Sequence, residues 1–281
     1  MNYRILFITT LAAALLLLCG SPLLAQEDKE EGKIGSLEKE VSKDKDADEE
    51  ENDDSSDDGD SDGNFFANLA LELTGRAALG VFIIFPNEDS LLYGGSYRNC
   101  YFSDYPYADP EEGLFSQTVG KKFSVNISGH YFYDEENLTG YAVRARFSPL
   151  TFASAEVHFT DLTEKLSTRE DHLKIYNIFI NYNRLRLERW AFWWGLGLKG
   201  LQGDETYNGF AFNLGTEVYP ARPVSVTLNY SGGFINGTYL PEFFGSLNLH
   251  LYRFAIFAGY QYWSAGGAKI DGLVGGVRLF F

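Results

Sequence analysis

The segment SLNLHLYRFAIFAGYQY, residues 246–262, carries an apolar side chain at every second position on both sides of a short turn at Arg253. These apolar positions are Leu247, Leu249, Leu251, Phe254, Ile256, Ala258, Tyr260 and Tyr262. The positions between them are mostly small or polar, and they include Ser246, Asn248, His250 and Gln261. Because successive side chains of a β-strand point to opposite faces, this period of two predicts a pair of strands with one apolar and one polar face.

The same alternation recurs over residues 121–281 and predicts ten strands of about 9–12 residues, long enough for a tilted strand to cross a bilayer. The connections are predicted to alternate between long loops, such as residues 161–171 and 231–241, and short turns. Long loops on one side and short turns on the other are typical of outer-membrane barrels. We therefore predict an all-β fold, a closed antiparallel up-and-down transmembrane β-barrel.

The last predicted strand ends in an apolar ladder with a terminal phenylalanine. Its members are Leu273, Val277, Leu279 and Phe281. The ladder resembles the C-terminal signal of bacterial outer-membrane β-barrel proteins, and residues 105–108 (YPYA) with Gly113-Leu114 resemble an uncharacterised small-barrel type of Gram-negative bacteria. The resemblance covers residues 121–281 and implies contact with outer-membrane lipids and lipopolysaccharide. It also implies that the barrel-assembly machinery and periplasmic chaperones are partners, with the ladder as assembly signal.

Residues 1–25 predict a secretory signal peptide. Arg4 supplies a positive charge, residues 5–18 form an apolar run, and residues 23–25 (LLA) offer a cleavage site. The apolar run is shorter than the roughly 20 residues that a membrane-spanning helix needs. We therefore expect the chain to be exported to the cell outer membrane.

Residues 26–63 hold 18 acidic side chains and 5 lysines, so most of the chain's net charge of −16 belongs to this segment. With almost no apolar content it cannot offset the entropy lost on ordering, and we predict a disordered acidic linker in the periplasm. Asp58, Asp60 and Asp62 match the first half of a calcium loop, but Leu69 stands where the loop needs glutamate. A solvated spacer is the favoured interpretation, and no other metal site or cofactor is expected.

Residues 64–120 allow two interpretations. Phe65, Phe66, Leu69 and Leu73 fit one stripe of an amphipathic helix. Residues 69–75 and 77–85 could instead be strands, which would make a barrel of twelve. We favour the amphipathic segment, followed by a Tyr-rich ordered loop over residues 93–114, either on the periplasmic side or inside the lumen.

The polar faces of the predicted strands direct ionisable side chains into the lumen. These are Arg144, Arg146, Glu156, His158, Lys199, Glu217, His250 and Arg278. A turn at residues 148–151 is expected to place Arg144 either directly opposite Glu156 or diagonal to it, and a salt bridge between them is predicted in both registers. Small barrels fill their interiors with side chains and buried charges need partners, so a satisfied polar core is the first expectation and a narrow pore the second.

The predicted function is a structural or narrow-pore role with a polar lumen. The alternative is a surface-displayed binding protein that uses its extracellular loops, and an outer-membrane hydrolase is a third possibility. We expect no enzyme, because no histidine has lipid-face parity beside a serine, and Asp134, Asp161 and Asp171 with His172 imitate a protease rim only loosely. No basic patch exceeds three residues, so nucleic acid is not an expected partner.

Overall fold

The structure is a computed structural model that describes residues 32–42, 100–135, 137–167, 169–203 and 205–281. The predicted signal peptide, the calcium candidate Asp58, Asp60 and Asp62, and residues 64–99 lie outside the described residues. No helix in the described part of the chain has the length and apolar character needed to cross a membrane.

Ten antiparallel strands close into a barrel in which each strand pairs with its neighbours in sequence. The elements are helix α1 Lys33–Ser42, the short strands β1 Tyr101–Phe102 and β2 Phe115–Ser116, and the barrel strands β3 Ser124–Tyr133, β4 Leu138–Leu150, β5 Ala153–Lys165, β6 Glu170–Arg186, β7 Trp190–Gln202, β8 Thr206–Ala221, β9 Val224–Ile235, β10 Thr238–Leu251, β11 Phe254–Ala265 and β12 Ala268–Phe280. The ring closes where β12 pairs with β3, with Leu273 opposite Tyr133. The predicted ten-stranded barrel is confirmed. The twelve-stranded alternative is wrong, because pairing of the first and last strands leaves no free edge in the ring.

Burial alternates along each barrel strand, as the two faces of a sheet require. In β4, Arg144 and Arg146 face the lumen, whereas Tyr141 points outward and is 71% exposed. The exterior is apolar around the ring, with Ile180 and Leu273 67% and 64% exposed. An apolar surface of this extent is typical of a wall that faces lipid.

The barrel has two different ends. The helix end carries α1 and the links β3–β4, β5–β6, β7–β8, β9–β10 and β11–β12. The terminal end carries the start of β3, the end of β12 and the other four links. It also carries residues 100–121, which we call the terminal cap.

The loops at the helix end are shorter than predicted. Strand β5 runs to Lys165 and β6 begins at Glu170, so most of residues 161–171 is sheet. Pairs such as Glu164 with Asp171 extend the ladder beyond the apolar belt. Backbone groups pair whether the side chains are apolar or polar, which is why side-chain alternation underestimates the strand length.

The same holds for residues 231–241. Strand β9 runs to Ile235, β10 begins at Thr238, and Asn236 and Gly237 alone form the link. Both residues have positive φ, 48° and 68°, as a two-residue hairpin turn requires. The prediction of long loops on one side of the barrel is therefore wrong.

Helix α1 corrects the prediction of disorder for residues 33–42. Ile34, Leu37 and Val41 lie on one face of the helix and are buried in the mouth of the barrel. They pack in what we call the mouth cluster, whose other members are Phe132, Leu138, Leu162, Leu173, Ile175, Leu201, Ile235, Leu240, Phe244, Phe257, Trp263, Ala265, Ile270 and Val274. The helix is stable here because its apolar face packs against the apolar mouth of the barrel. The sequence of the acidic segment alone does not show that such a partner exists.

The terminal cap fills the opposite end of the lumen. Strands β1 and β2 pair with each other, and Lys121 pairs with Phe102. An aromatic cluster joins the cap to the barrel wall and contains Phe102, Tyr107, Leu114, Phe115, Ala191, Trp193 and Tyr219. The part of the Tyr-rich loop that the structure describes thus lies inside the terminal end.

Candidate functional site: the polar layer of the lumen

A layer of polar side chains, which we call the polar layer, lies inside the barrel between the mouth cluster and the terminal cap. All the ionisable residues that the sequence directs into the lumen are buried there, namely Arg144, Arg146, Glu156, His158, Lys199, Glu217, His250 and Arg278. Their hydrogen bonds converge on the carboxylates of Glu156, Glu217 and Glu242.

Glu156 of β5 joins three adjacent strands. Its Oε2 accepts hydrogen bonds from Arg146 Nη2 at 2.6 Å and Arg146 Nε at 3.1 Å on β4, and from Asn181 Nδ2 at 2.7 Å on β6. Its Oε1 lies 2.5 Å from His158 Nε2 on the same strand. Hydrogen bonds to a charged group are stronger than those between neutral groups, and both oxygens of the Glu156 carboxylate take part in such contacts.

The predicted salt bridge between Arg144 and Glu156 is present, but the two residues are not directly opposite each other. Arg144 is opposite His158 and Arg146 is opposite Glu156, while Arg144 Nε lies 3.9 Å from Glu156 Oε1. The turn lies at residues 151–152, and a one-residue register shift between Phe147 and Leu150 then leaves the pairing two residues away from the predicted one. A shift of two keeps every side chain on its face, so the inward direction of these residues is unaffected.

Glu217 of β8 organises the side of the lumen near the terminal end. Its Oε1 accepts hydrogen bonds from Arg278 Nη1 at 3.0 Å, Thr227 Oγ1 at 3.1 Å and Ser225 Oγ at 3.2 Å. Arg278 comes from β12, so this carboxylate links strands on different sides of the ring.

Glu242 of β10 was missed from the sequence because it adjoins residues assigned to a loop. Its Oε2 accepts hydrogen bonds from Lys199 Nζ and Asn177 Nδ2, both at 2.9 Å, and its Oε1 accepts one from Gln261 Nε2 at 3.1 Å. Lys199 is fully buried and is neutralised by this contact. In β10 the even-numbered residues point into the lumen, and residue 242 is one of them. This alternation would have identified Glu242 as a lumen-facing residue.

Two of the arginines each lie over an aromatic ring at less than 5 Å. The guanidinium carbon of Arg146 lies 3.7 Å from the centroid of a Trp193 ring, and that of Arg144 lies 4.5 Å from the Phe244 ring. Such stacking stabilises a cation and fills the space around it. Arg144 donates no hydrogen bond to any residue in the described part of the chain.

Ser225 and His250 form a contact that the sequence did not suggest. Ser225 Oγ lies 2.8 Å from His250 Nε2, with both side chains buried. A catalytic serine needs an open approach and a histidine whose second nitrogen is oriented by an acid. Nδ1 of His250 has no hydrogen-bond partner among the described residues, and Ser225 is fully buried. The pair therefore belongs to the network of Glu217.

The terminal cap is attached to the wall by Tyr107. Its Oη donates a hydrogen bond to the carbonyl oxygen of Val224 at 2.5 Å, and its ring meets Tyr219 edge-on at 5.6 Å between centroids. Burial raises the pKa of Tyr107 to about 12, so the hydroxyl keeps its proton through the physiological range.

Cys100 begins the described part of the cap. Its Sγ lies 3.8 Å from the carbonyl oxygen of Arg186, to which Gln117 Nε2 also donates at 2.9 Å. Burial raises the pKa of the Cys100 thiol to about 11, against a smaller opposite effect of the Arg186 charge. The thiol is therefore poorly nucleophilic at neutral pH.

Helix α1 is attached to the rim at both of its ends. Its first backbone N–H groups point at the carboxylate of Glu164. Its last turn accepts hydrogen bonds from Thr238 Oγ1 to the Glu40 carbonyl at 3.0 Å and from Asn236 Nδ2 to the Val41 carbonyl at 3.3 Å. The helix end of the lumen is thus closed by polar contacts around an apolar centre.

A cavity of about 20 Å³ remains in the polar layer, lined by Arg144, Arg146, Arg278, Asn126, Thr227, Glu156, Glu217, Leu114 and Trp193. That volume is room for one water-sized molecule. No cluster of side chains able to hold a metal ion occurs in the described ranges. The residues of the C-terminal ladder, Leu273, Val277, Leu279 and Phe281, all lie exposed on the outer wall.

Comparison with known proteins adds little to these observations. A scan against protein-family models and a search of curated proteins find no match. Among solved structures, the chain is similar to the crystal structure of Ail, the attachment invasion locus protein of Yersinia pestis, with 12% identity and a TM-score of 0.28. The match covers 57% of this chain and 96% of that chain. At this level of similarity, no functional inference follows from the match.

Proposed function

We propose that this protein is a sealed β-barrel of the outer membrane with a structural role, whose lumen is a filled polar core. The observation that carries the proposal is the closure of both ends, by α1 at the helix end and by the terminal cap at the other. Between them the carboxylates and cations of the polar layer are bonded to one another across the lumen. A filled interior is the usual state of a barrel of this size.

The outer-membrane location is supported by the apolar exterior and by the signal-peptide pattern of residues 1–25. An even number of strands places both ends of the barrel chain on one side, and we propose that this side faces the periplasm, as in the even-stranded barrels of bacterial outer membranes. The terminal end then faces the periplasm and α1 lies at the outer surface. On this orientation the acidic segment is not wholly periplasmic.

The proposed partners are inferred from the apolar outer surface of the barrel and from its C-terminal ladder. Outer-membrane lipids and lipopolysaccharide contact the exposed apolar belt, and the barrel-assembly machinery with periplasmic chaperones recognises the ladder that ends at Phe281.

The alternative functions have weaker support. A narrow pore requires a water path past Arg146, whose guanidinium is stacked on Trp193. A binding protein would need extended loops, but the connections at the helix end are tight, as at Asn236-Gly237. A hydrolase has no accessible nucleophile in the Ser225–His250 pair.

Orientation is tested by cysteine labelling in intact cells. Ser42 lies at the exposed end of α1, so Ser42→Cys should react with a membrane-impermeant maleimide in whole Gram-negative cells. The unmodified chain, which has Cys100 in the terminal cap, is the control and should remain unlabelled. Reaction of the Ser42→Cys variant only after the outer membrane is broken would reject the proposed orientation.

The sealed lumen is tested by leakage from vesicles. Liposomes that contain the refolded mature chain should release an entrapped small sugar at the rate of protein-free liposomes. A known porin reconstituted at the same density provides the positive control. Release at the porin's rate would rule out the structural role and support the pore alternative.

A further inference from the structure

The charges of the polar layer do not balance. Three cations each have a carboxylate within 3.0 Å, the pairs being Arg146 with Glu156, Lys199 with Glu242, and Arg278 with Glu217. Arg144 is a fourth buried cation, and its ion pair, at 3.9 Å, is with Glu156, the carboxylate that Arg146 already binds. With neutral histidines, the layer therefore carries one positive charge in excess.

The carboxylates near Arg144 are already paired with other cations, and one of them, Glu242, is bonded by Lys199 at 2.9 Å. The carboxylate nearest to Arg144, at 3.9 Å, is Glu156, which is already bonded by Arg146, His158 and Asn181. Along β5, Glu164 lies six residues beyond the position opposite Arg144, which is roughly 20 Å of strand. The layer thus holds four cations against three carboxylates, and because an excess buried charge is unfavourable, a bound anion would stabilise it.

Two arginines flank the same small residue. Ser128 of β3 is opposite Arg144 of β4 on one side and opposite Arg278 of β12 on the other. With strands about 4.8 Å apart, the two arginine backbones are roughly 10 Å apart. Both side chains line the cavity of about 20 Å³ in the polar layer. The cavity thus places guanidinium donors around a space that no side chain occupies.

We propose that this cavity binds a small monovalent anion of halide size, held by Arg144 and Arg278. Guanidinium groups are strong charge-assisted donors to an anion, and Asn126 and Thr227 add polar lining. The carboxylates of Glu156 and Glu217 also line the cavity, and Oε2 of Glu156 and Oε1 of Glu217 already accept hydrogen bonds from Arg146 and Arg278. A volume of about 20 Å³ suits one ion of roughly the size of a water molecule, which favours chloride or bromide over the larger phosphate and sulfate. The site depends on the polar layer and not on the proposed membrane role.

The test compares anions at equal ionic strength. The refolded mature chain in a neutral detergent is heated in sodium chloride and in sodium gluconate, and its unfolding midpoint is followed by heat-modifiable gel migration. Each tenfold increase of chloride above the dissociation constant should raise the midpoint by about 3–6 °C, and gluconate should not. Equal midpoints in the two salts over the whole concentration range would overturn the proposal.

Two variants locate the effect. Ser128→Asp places a carboxylate opposite both arginines and should abolish the chloride dependence while the barrel stays folded. Arg144→Met removes the excess cation and should abolish it as well. Arg169→Met, which removes an exposed arginine paired with Asp171 at 3.0 Å, is the control and should keep the full dependence. Full chloride dependence in Ser128→Asp would overturn the proposal even if Arg144→Met failed to fold.

A direct observation completes the test. Crystals of the full mature chain grown in bromide should give an anomalous peak between Arg144 and Arg278. A water molecule at that position, with no anomalous signal, would also overturn the proposal.

Discussion

The carboxylate of Glu164 accepts the backbone N–H of Ile34 at 2.9 Å, across a sequence separation of 130 residues. The second oxygen of the same carboxylate accepts the N–H of Lys33, also at 2.9 Å. The first N–H groups of a helix have no partner within the helix, and they lie at the positive end of its dipole. The barrel wall therefore provides the N-terminal cap of α1.

Glu164→Gln tests this capping. The amide keeps the size of the side chain but removes its negative charge, so docking of α1 should weaken by about 1–2 kcal/mol. Limited trypsin digestion of the refolded protein should then cleave after Lys39 roughly 5–30 times faster, since Lys39 is exposed on the docked helix. Glu170→Gln changes an exposed glutamate at the same end and should leave the rate unaltered. An unchanged rate in Glu164→Gln would show that the cap contributes nothing.

Leu37→Asp tests the apolar half of the same contact. Leu37 is fully buried in the mouth cluster together with Trp263, so an aspartate there should displace α1 and expose the indole to water. Tryptophan emission should shift to the red, while heat-modifiable migration shows that the ring of strands is intact. Lys39→Asp, on the exposed side of α1, should leave the emission unchanged. If the emission of the Leu37→Asp variant stayed at the wavelength of the unmodified protein, α1 would not close the mouth.

Glu156→Gln tests the polar layer. It leaves Arg146 without its carboxylate in a buried site, and breaking one partner of such a pair costs about 3–5 kcal/mol. The urea midpoint of unfolding in detergent should fall accordingly. Glu111→Gln removes a carboxylate from an exposed pair with Arg189 and should change stability by less than about 1 kcal/mol. Equal midpoints for the two variants would indicate that water fills the lumen and screens these charges.

Cys100 provides a prediction for the terminal cap. Burial raises the pKa of the thiol from 9.0 to about 11, so the thiolate fraction at pH 8 should be about 100-fold lower than in the unfolded chain. Alkylation by iodoacetamide at pH 8 should be slower in the folded protein by that factor. Because burial favours the neutral thiol, its contribution to stability is complete below pH 9 and is lost as the pH rises toward 11. Equal rates in folded and urea-unfolded protein would show that the cap is open.

The strands were predictable because the lipid-facing and lumen-facing side chains differ in polarity at every step, as Arg144 and Arg146 do from Tyr141. Alternation also indicated which ionisable side chains are directed into the lumen. It did not fix the strand ends, because backbone pairing continues through polar residues such as Glu164. The Asn236-Gly237 pair was an available signal for a two-residue hairpin that would have corrected one loop.

Helix α1 and the pairing within the polar layer were harder to predict. Ile34, Leu37 and Val41 have helical spacing, but three apolar residues in an acidic segment do not indicate a buried helix without the mouth that receives them. The Arg146–Glu156 pair depends on a register shift near a turn, which no side-chain pattern encodes. Glu242 was hidden by the overestimated loop before it.

Single-channel recording in a planar lipid bilayer tests the sealed lumen most directly. The full mature chain, with insertion verified by heat-modifiable migration of the recovered protein, should give no discrete current steps over a wide range of voltage. Stable, discrete openings from the full chain, with α1 and the terminal cap both present, would contradict a sealed barrel.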